Sequence, residues 1–236
     1  MEQKSRFLLA VFLILALACN VLSPPNGEQT EEPPTQPVIR SPGPPGSIYY
    51  IRPDGGTYEE CTGLVDAPYP GSGVSQPCAW DHPFQALPPD GMPRILGGAT
   101  LIIGAGAYMM GYGASGADTC DYEGSYDCLM SAVPSGPDAT HPTRILGAGW
   151  DSGCTSPPEL WGTGRPWYIV NLTDSSNIEV ACLEITDHSS CIEDHLFPTG
   201  GSEYTCQRDA APYGDWASIG LYAEDSANVR LMDLNI

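Results

Sequence analysis

The densest group of side chains able to do chemistry is the segment TDHSSCIEDH at 186–195, which carries Asp187, His188, Glu193, Asp194 and His195, with Arg208, Asp209 and Asp215 following. Carboxylates beside imidazoles suit two kinds of work: holding a divalent cation through oxygen and nitrogen ligands, or exchanging protons with a substrate as acid and base. Asp187, Glu193 and Asp194 are the candidate metal ligands. Asp187, His188, His195 and Arg208 are the candidate catalytic groups. The competing reading is a polar surface loop fixed by a disulfide, because no HExxH, nucleophile elbow or other dedicated motif accompanies the cluster. Nothing in the sequence places Ser189 or Ser190 at a strained turn, so no serine, histidine and aspartate arrangement is asserted. Trp150, Trp161, Trp167 and Trp216 offer flat apolar faces on which sugar rings can stack. Against that stands packing beneath long loops, a common place for a single tryptophan.

Charge narrows the partners. Asp and Glu number 29, one of them Glu2, so from Cys19 onward 28 acidic residues face seven arginines and no lysine, a formal charge near −21. Nucleic acid and anionic lipid surfaces are repelled by such a chain. Schiff-base chemistry and lysine-containing phosphate loops are excluded for this stretch.

The N-terminus sets the compartment. Lys4 and Arg6 precede the apolar run Phe7 to Ala18, too short to span a bilayer, which needs about 20 apolar residues. It fits a signal peptide over 1–18. Ala16-Leu17-Ala18-Cys19 resembles the lipobox of bacterial lipoproteins, which implies acylation of Cys19 and a membrane partner reached through that lipid; the alternative is ordinary cleavage with Cys19 discarded or left free. Nine cysteines is an odd count, and assigning Cys19 to lipid leaves eight that can pair in an oxidising compartment. Residues 19–46, dominated from Ser23 by Pro, Glu, Gln, Thr and Gly, predict a disordered tether. The expected location is the outer surface or periplasm, with a folded domain over 47–236.

The elements that must position these groups are strands. Glycine and proline supply 51 of 236 residues, and no long window carries apolar spacing of three and four. Short β-rich runs recur instead at Ile48 to Ile51, Thr100 to Ile103, Arg144 to Leu146, Trp167 to Leu172, Ile178 to Ile185, Ile219 to Tyr222 and Val229 to Ile236. The first is expected to end in a Pro-Asp-Gly-Gly turn. DSSNIEVACLEI at 174–185 and DSANVRLMDLNI at 225–236 form an ungapped internal repeat. In each copy an alternation of period two is broken once, at Ala181 and Cys182 in the first, which turns a corner. Asn177 and Asn228 tolerate left-handed backbone and can stack amide on amide. A unit of this kind buries its inner face by stacking on its neighbours; two coincidentally similar strands of a β-sandwich are the alternative. Cys61 with Cys78, Cys120 with Cys128 and Cys191 with Cys206 are predicted as local disulfides bracketing loops, leaving Cys154 with Cys182 at the corner.

DHPFQALP at 81–88 followed by GGATLIIGAGAYMMG at 97–111 resembles the opening of right-handed parallel β-helix proteins of the pectin-lyase-like superfamily, with alanine where an acidic residue and a proline are usual. The resemblance covers 48–236 in patches. It implies an all-β, right-handed parallel β-helix with long disulfide-braced insertions. It also implies action on or binding of polysaccharide: a lyase or hydrolase holding an acidic sugar through calcium, with an arginine such as Arg208 or Arg230 aiding proton abstraction. A non-catalytic adhesive module and a purely structural surface solenoid are the other readings. Because the sequence stops at Ile236 within a strand, further coils are expected beyond it.

Overall fold

A computed structural model describes residues 41–89, 91–188, 211 and 213–236. The proposed signal peptide, Cys19, Cys191, Glu193, Asp194, His195, Cys206, Arg208 and Asp209 lie outside the described residues. The described chain is nearly all β: strands β1 (Ile48–Gly56), β2 (Thr100–Ile103), β3 (Ala107–Gly111), β4 (Thr143–Gly147), β5 (Glu159–Thr163), β6 (Tyr168–Asn171), β7 (Ser176–Asp187), β8 (Ile219–Tyr222) and β9 (Ala227–Asn235), with one short helix, α1 (Pro83–Ala86).

Every pairing between these strands is parallel. Tyr49, Leu101, Ile145, Val180 and Leu231 stand in one register across β1, β2, β4, β7 and β9. Tyr108, Leu160 and Ile185 do the same across β3, β5 and β7. β7 belongs to both rows because it bends at Cys182, whose φ is 58°; its first part pairs with β4 and its second with β5. The sheet therefore curls. β6 and β8 form a separate two-stranded parallel sheet. The apolar sides of these strands meet in one core, where Leu101, Ile145, Leu160, Leu172 and Val180 are fully buried, each stabilising the fold by roughly 1.5–3 kcal/mol relative to exposure.

The internal repeat is a structural repeat. β7 and β9 pair in parallel from Ser176 with Ala227 to Glu184 with Asn235, without a slip, so equivalent side chains lie on the same face. Left-handed backbone recurs in both copies, at Asp174, Asn177 and Cys182 (φ 54°, 56°, 58°) and at Asp225, Asn228 and Asp233 (51°, 53°, 50°). Asparagine and aspartate accept this conformation at lower cost than most side chains. Asn228 Nδ2 donates to Asn177 Oδ1 at 3.0 Å, and Asn177 Nδ2 donates to Gly136 O at 2.9 Å, an amide ladder along the turn.

Disulfides join Cys61 to Cys78, Cys120 to Cys128 and Cys154 to Cys182, as expected. The third ties the loop after β4 to the bend of β7. Beneath that loop, on the outward side of the sheet, Leu146 and Ala181 are buried. Beside them Glu179, 5 % exposed, accepts ion pairs from Arg144 (2.7 Å) and Arg230 (2.9 Å).

Two local expectations need correction. The Pro-Asp-Gly-Gly segment does not end β1, which runs on to Gly56. Glycine there admits a crossing chain: a Cβ on Gly55 would lie 2.5 Å from the Trp80 carbonyl, and Gly56 N–H donates to Ala79 O while its carbonyl accepts from Asp81 N–H. β3 and β5 were not anticipated as strands, because GAGAYMMG and ELWGT lack the β-branched runs that mark the others. In the DHPF segment, His82 is the N-cap of α1, its Nδ1 accepting from Phe84 N–H at 3.1 Å.

Candidate functional site

The outward side of β5 and the second part of β7 gathers the polar groups. Parallel register sets Glu159 beside Glu184, and Trp161 beside Thr186. In the next strand Asn235 pairs with Glu184, its Nδ2 donating to Glu184 Oε1 at 2.9 Å. Neighbouring parallel strands lie about 4.8 Å apart, so these residues form a polar row across β5, β7 and β9.

Glu159 is the hub of the row. Its Oε1 accepts from Thr186 Oγ1 at 2.5 Å and lies 2.7 Å from His188 Nε2. Partial burial pushes its pKa up, but the hydrogen bonds from Thr186 and His188 outweigh that, and the carboxyl sits below its ordinary range. An ionised carboxylate only accepts, so the proton in the imidazole contact belongs to Nε2 of His188. The His188 ring stacks on Trp161 with centroids 4.3 Å apart and planes 14° from parallel. At the far end of β5, Thr163 Oγ1 donates to Asp215 Oδ1 at 3.3 Å.

Of the candidates read from sequence, the structure thus brings together His188 and Trp161. Asp187, at the end of β7, lines a cavity of about 400 Å³ together with Ile169, Ile185, Thr186, Ser218 and Asn235. Arg230 belongs to the Glu179 ion pair on a different part of the sheet. Among the described residues, no three His, Cys, Asp or Glu side chains converge as metal ligands.

The other tryptophans are dispersed. Trp150 lies under the Arg144 guanidinium, 4.3 Å from the ring centroid. Trp216 is 5 % exposed and faces Arg165 at 5.4 Å. Trp167 is half exposed and neighbours Tyr126 and Tyr168 at 5.8 and 6.0 Å.

Glu159, Glu184, Thr186 and Asn235 were not singled out from the sequence. Glu184 and Asn235 were within reach, since they occupy equivalent repeat positions; Glu159 was not, because its register with β7 is set by long-range pairing. The arrangement offers a planar ring, two carboxylates, an amide, a hydroxyl and an imidazole on one regular surface, a set suited to the hydroxyl groups and apolar ring faces of sugars. Compared with known proteins, the chain matches no family model, no curated protein and no solved structure.

Proposed function

We propose that this chain is an exported, right-handed parallel β-helix protein, lipid-anchored at Cys19, that binds polysaccharide along the outward face of β5, β7 and β9. The observation that carries the reading is the Trp161–His188 stack bordered by the Glu159 carboxylate and the Thr186 hydroxyl. The helical architecture is supported by the all-parallel pairing, by the bend in β7 and by the in-register repeat, in which one strand after another adds the same face to the same row. Export is supported by three disulfides, which persist in oxidising compartments.

The Glu159 carboxyl, its partial burial outweighed by hydrogen bonds from Thr186 and His188 that hold it below its ordinary range, is ionised and fixed in place to accept from sugar hydroxyls.

The test is affinity electrophoresis of the protein through gels containing neutral or uronic polysaccharides, with and without calcium, beside reducing-end and unsaturated-product assays. At least one polymer is expected to retard migration without product formation, and Trp161→Ala to weaken that retention about tenfold with an unchanged circular dichroism spectrum. Retardation by no polymer, or equal retardation of Trp161→Ala and the parent, overturns the reading; product release converts it to an enzyme.

A further inference from the structure

A polar cavity of about 280 Å³ lies where three segments meet: the turn after β1 at Thr57 and Glu59, α1 with Pro88 beyond it, and the loop 114–119 that follows β3. It shares no residue with the polar row of β5, β7 and β9. Its walls are tied together. Tyr58 N–H donates to Gln85 Oε1 at 3.0 Å, Gln85 Nε2 donates to Ser115 Oγ at 3.2 Å, and Ser115 Oγ donates to Asp81 Oδ2 at 2.6 Å. Thr119 Oγ1 donates to Pro89 O at 2.9 Å. Gly116 lets the loop come this close: its φ is 78°, and a Cβ there would stand 3.2 Å from both Gln85 Nε2 and Phe84 Cβ. A cavity formed in advance costs little ordering entropy when it is filled.

Charge is layered within it. Gln85, 3 % exposed, and the partly buried Arg94 form the inner part, whereas Glu59 and Asp118 are exposed at the rim. Arg94 is anchored on one side only. Its backbone N–H donates to Ala86 O at 2.8 Å, its Nη1 donates to Gln85 O at 3.1 Å, and the guanidinium lies over the Tyr58 ring, 4.1 Å from the centroid. Among the described residues, Nε and Nη2 find no acceptor and no carboxylate stands within ion-pair distance of this guanidinium. Burial pushes the Arg94 pKa below its usual value, and the more distant charges of Glu59 and Asp118 offset only a part. The Nε and Nη2 edge is the fork that grips a carboxylate through two parallel bonds. The rim acts in the opposite sense, drawing a cation and repelling a polyanion.

We propose that this cavity binds a small zwitterionic amino acid, its carboxylate held by Arg94 and its ammonium turned toward Asp118 and Glu59. One carboxylate and one ammonium satisfy both layers; an anionic polymer satisfies the inner layer and is refused by the rim. The volume stands at the small end of ligand pockets, which run from about 300 Å³ upward, and suits a single small molecule.

Isothermal titration calorimetry of the full chain at low salt tests this with glycine, 4-aminobutanoate and 6-aminohexanoate, each beside the acid and the amine of the same carbon chain, and with glucose as a neutral probe. At least one zwitterion is expected to bind, at least tenfold tighter than its acid and its amine. Asp118→Asn, at an exposed rim position, is expected to weaken the zwitterion at least threefold and to leave the acid unchanged, Arg94→Gln to abolish binding, and Trp161→Ala to leave it as in the parent. Binding of no zwitterion, equal affinity for a zwitterion and its acid, an Asp118→Asn protein that binds as the parent does, or glucose as the tightest ligand would each overturn the assignment. Should Arg94→Gln fail to fold, the matched ligands and Asp118→Asn decide by themselves.

Discussion

Acid should weaken this fold through His82, and the effect can be isolated. The ring is 5 % exposed, accepts at Nδ1 from Phe84 N–H (3.1 Å) and contacts Met109 O through Nε2 at 3.0 Å. Nδ1 as acceptor makes Nε2 the donor, so the imidazole is neutral and both nitrogens are satisfied. A second proton would have to sit on Nδ1, displacing the bond that caps α1. Burial pushes the pKa down to about 4 against an ordinary 6.5, the contact with Met109 offsetting a part. Between those values the unfolded chain binds a proton that the folded chain refuses, so stability rises with pH across the window and is flat outside it. At 1.36 kcal/mol per pH unit, about 2.5 units correspond to roughly 3 kcal/mol lost between pH 6.5 and 4. His82→Asn keeps a capping acceptor and cannot titrate; the smaller side chain gives up ring contacts with Phe84 and Tyr108, costing about 1–2 kcal/mol at neutral pH. Urea unfolding followed by tryptophan fluorescence at pH 4.5, 5.5, 6.5 and 7.5 measures both proteins. The parent should lose about 1.4 kcal/mol per unit more than the variant in the lower range. Parallel stability curves for the two proteins between pH 4.5 and 6.5 would refute the assignment.

Three further outcomes test the scaffold. Replacing Cys154 and Cys182 together by serine removes a closure across 28 residues and should lower unfolding stability by roughly 3–4 kcal/mol, read as the shift in urea midpoint; a change below about 1 kcal/mol would mean that the loop is held by its other contacts. Asn177→Gly should unfold at higher denaturant than Asn177→Ala, because both lose the amide ladder but only glycine accepts the positive φ without strain; the reverse order would contradict the left-handed turn. Glu179→Gln leaves Arg144 and Arg230 facing each other without their shared carboxylate and should cost about 2 kcal/mol, less than a fully buried pair because Arg230 is half exposed; calorimetry of the variant gives the value.

Much of the strand plan was legible because alternation is a local property. β2 and β8 fall where β-branched and apolar residues cluster, and the repeat revealed the pairing of β7 with β9 along with their left-handed corners. β3 and β5 were missed for the same reason: their glycines and methionines do not announce a strand, and only the neighbours on either side supply the hydrogen-bond partners. At the polar row, His188 and Trp161 drew notice as residue types, while Glu159 became significant only once β5 was laid beside β7.

What the sequence determined by itself is therefore whatever a residue carries with it: acidic charge, thiols that can pair, an alternation of period two and asparagines fit for a left-handed turn. The tertiary structure decided which of these meet. It set the carboxylate of Glu159 against His188 across 29 residues, sealed His82 from water, and drew Tyr126 to Trp167. The reason is physical. Side-chain chemistry and backbone preference act over a few bonds, whereas burial and partner choice depend on long-range parallel register, where a slip of one residue would present the opposite face.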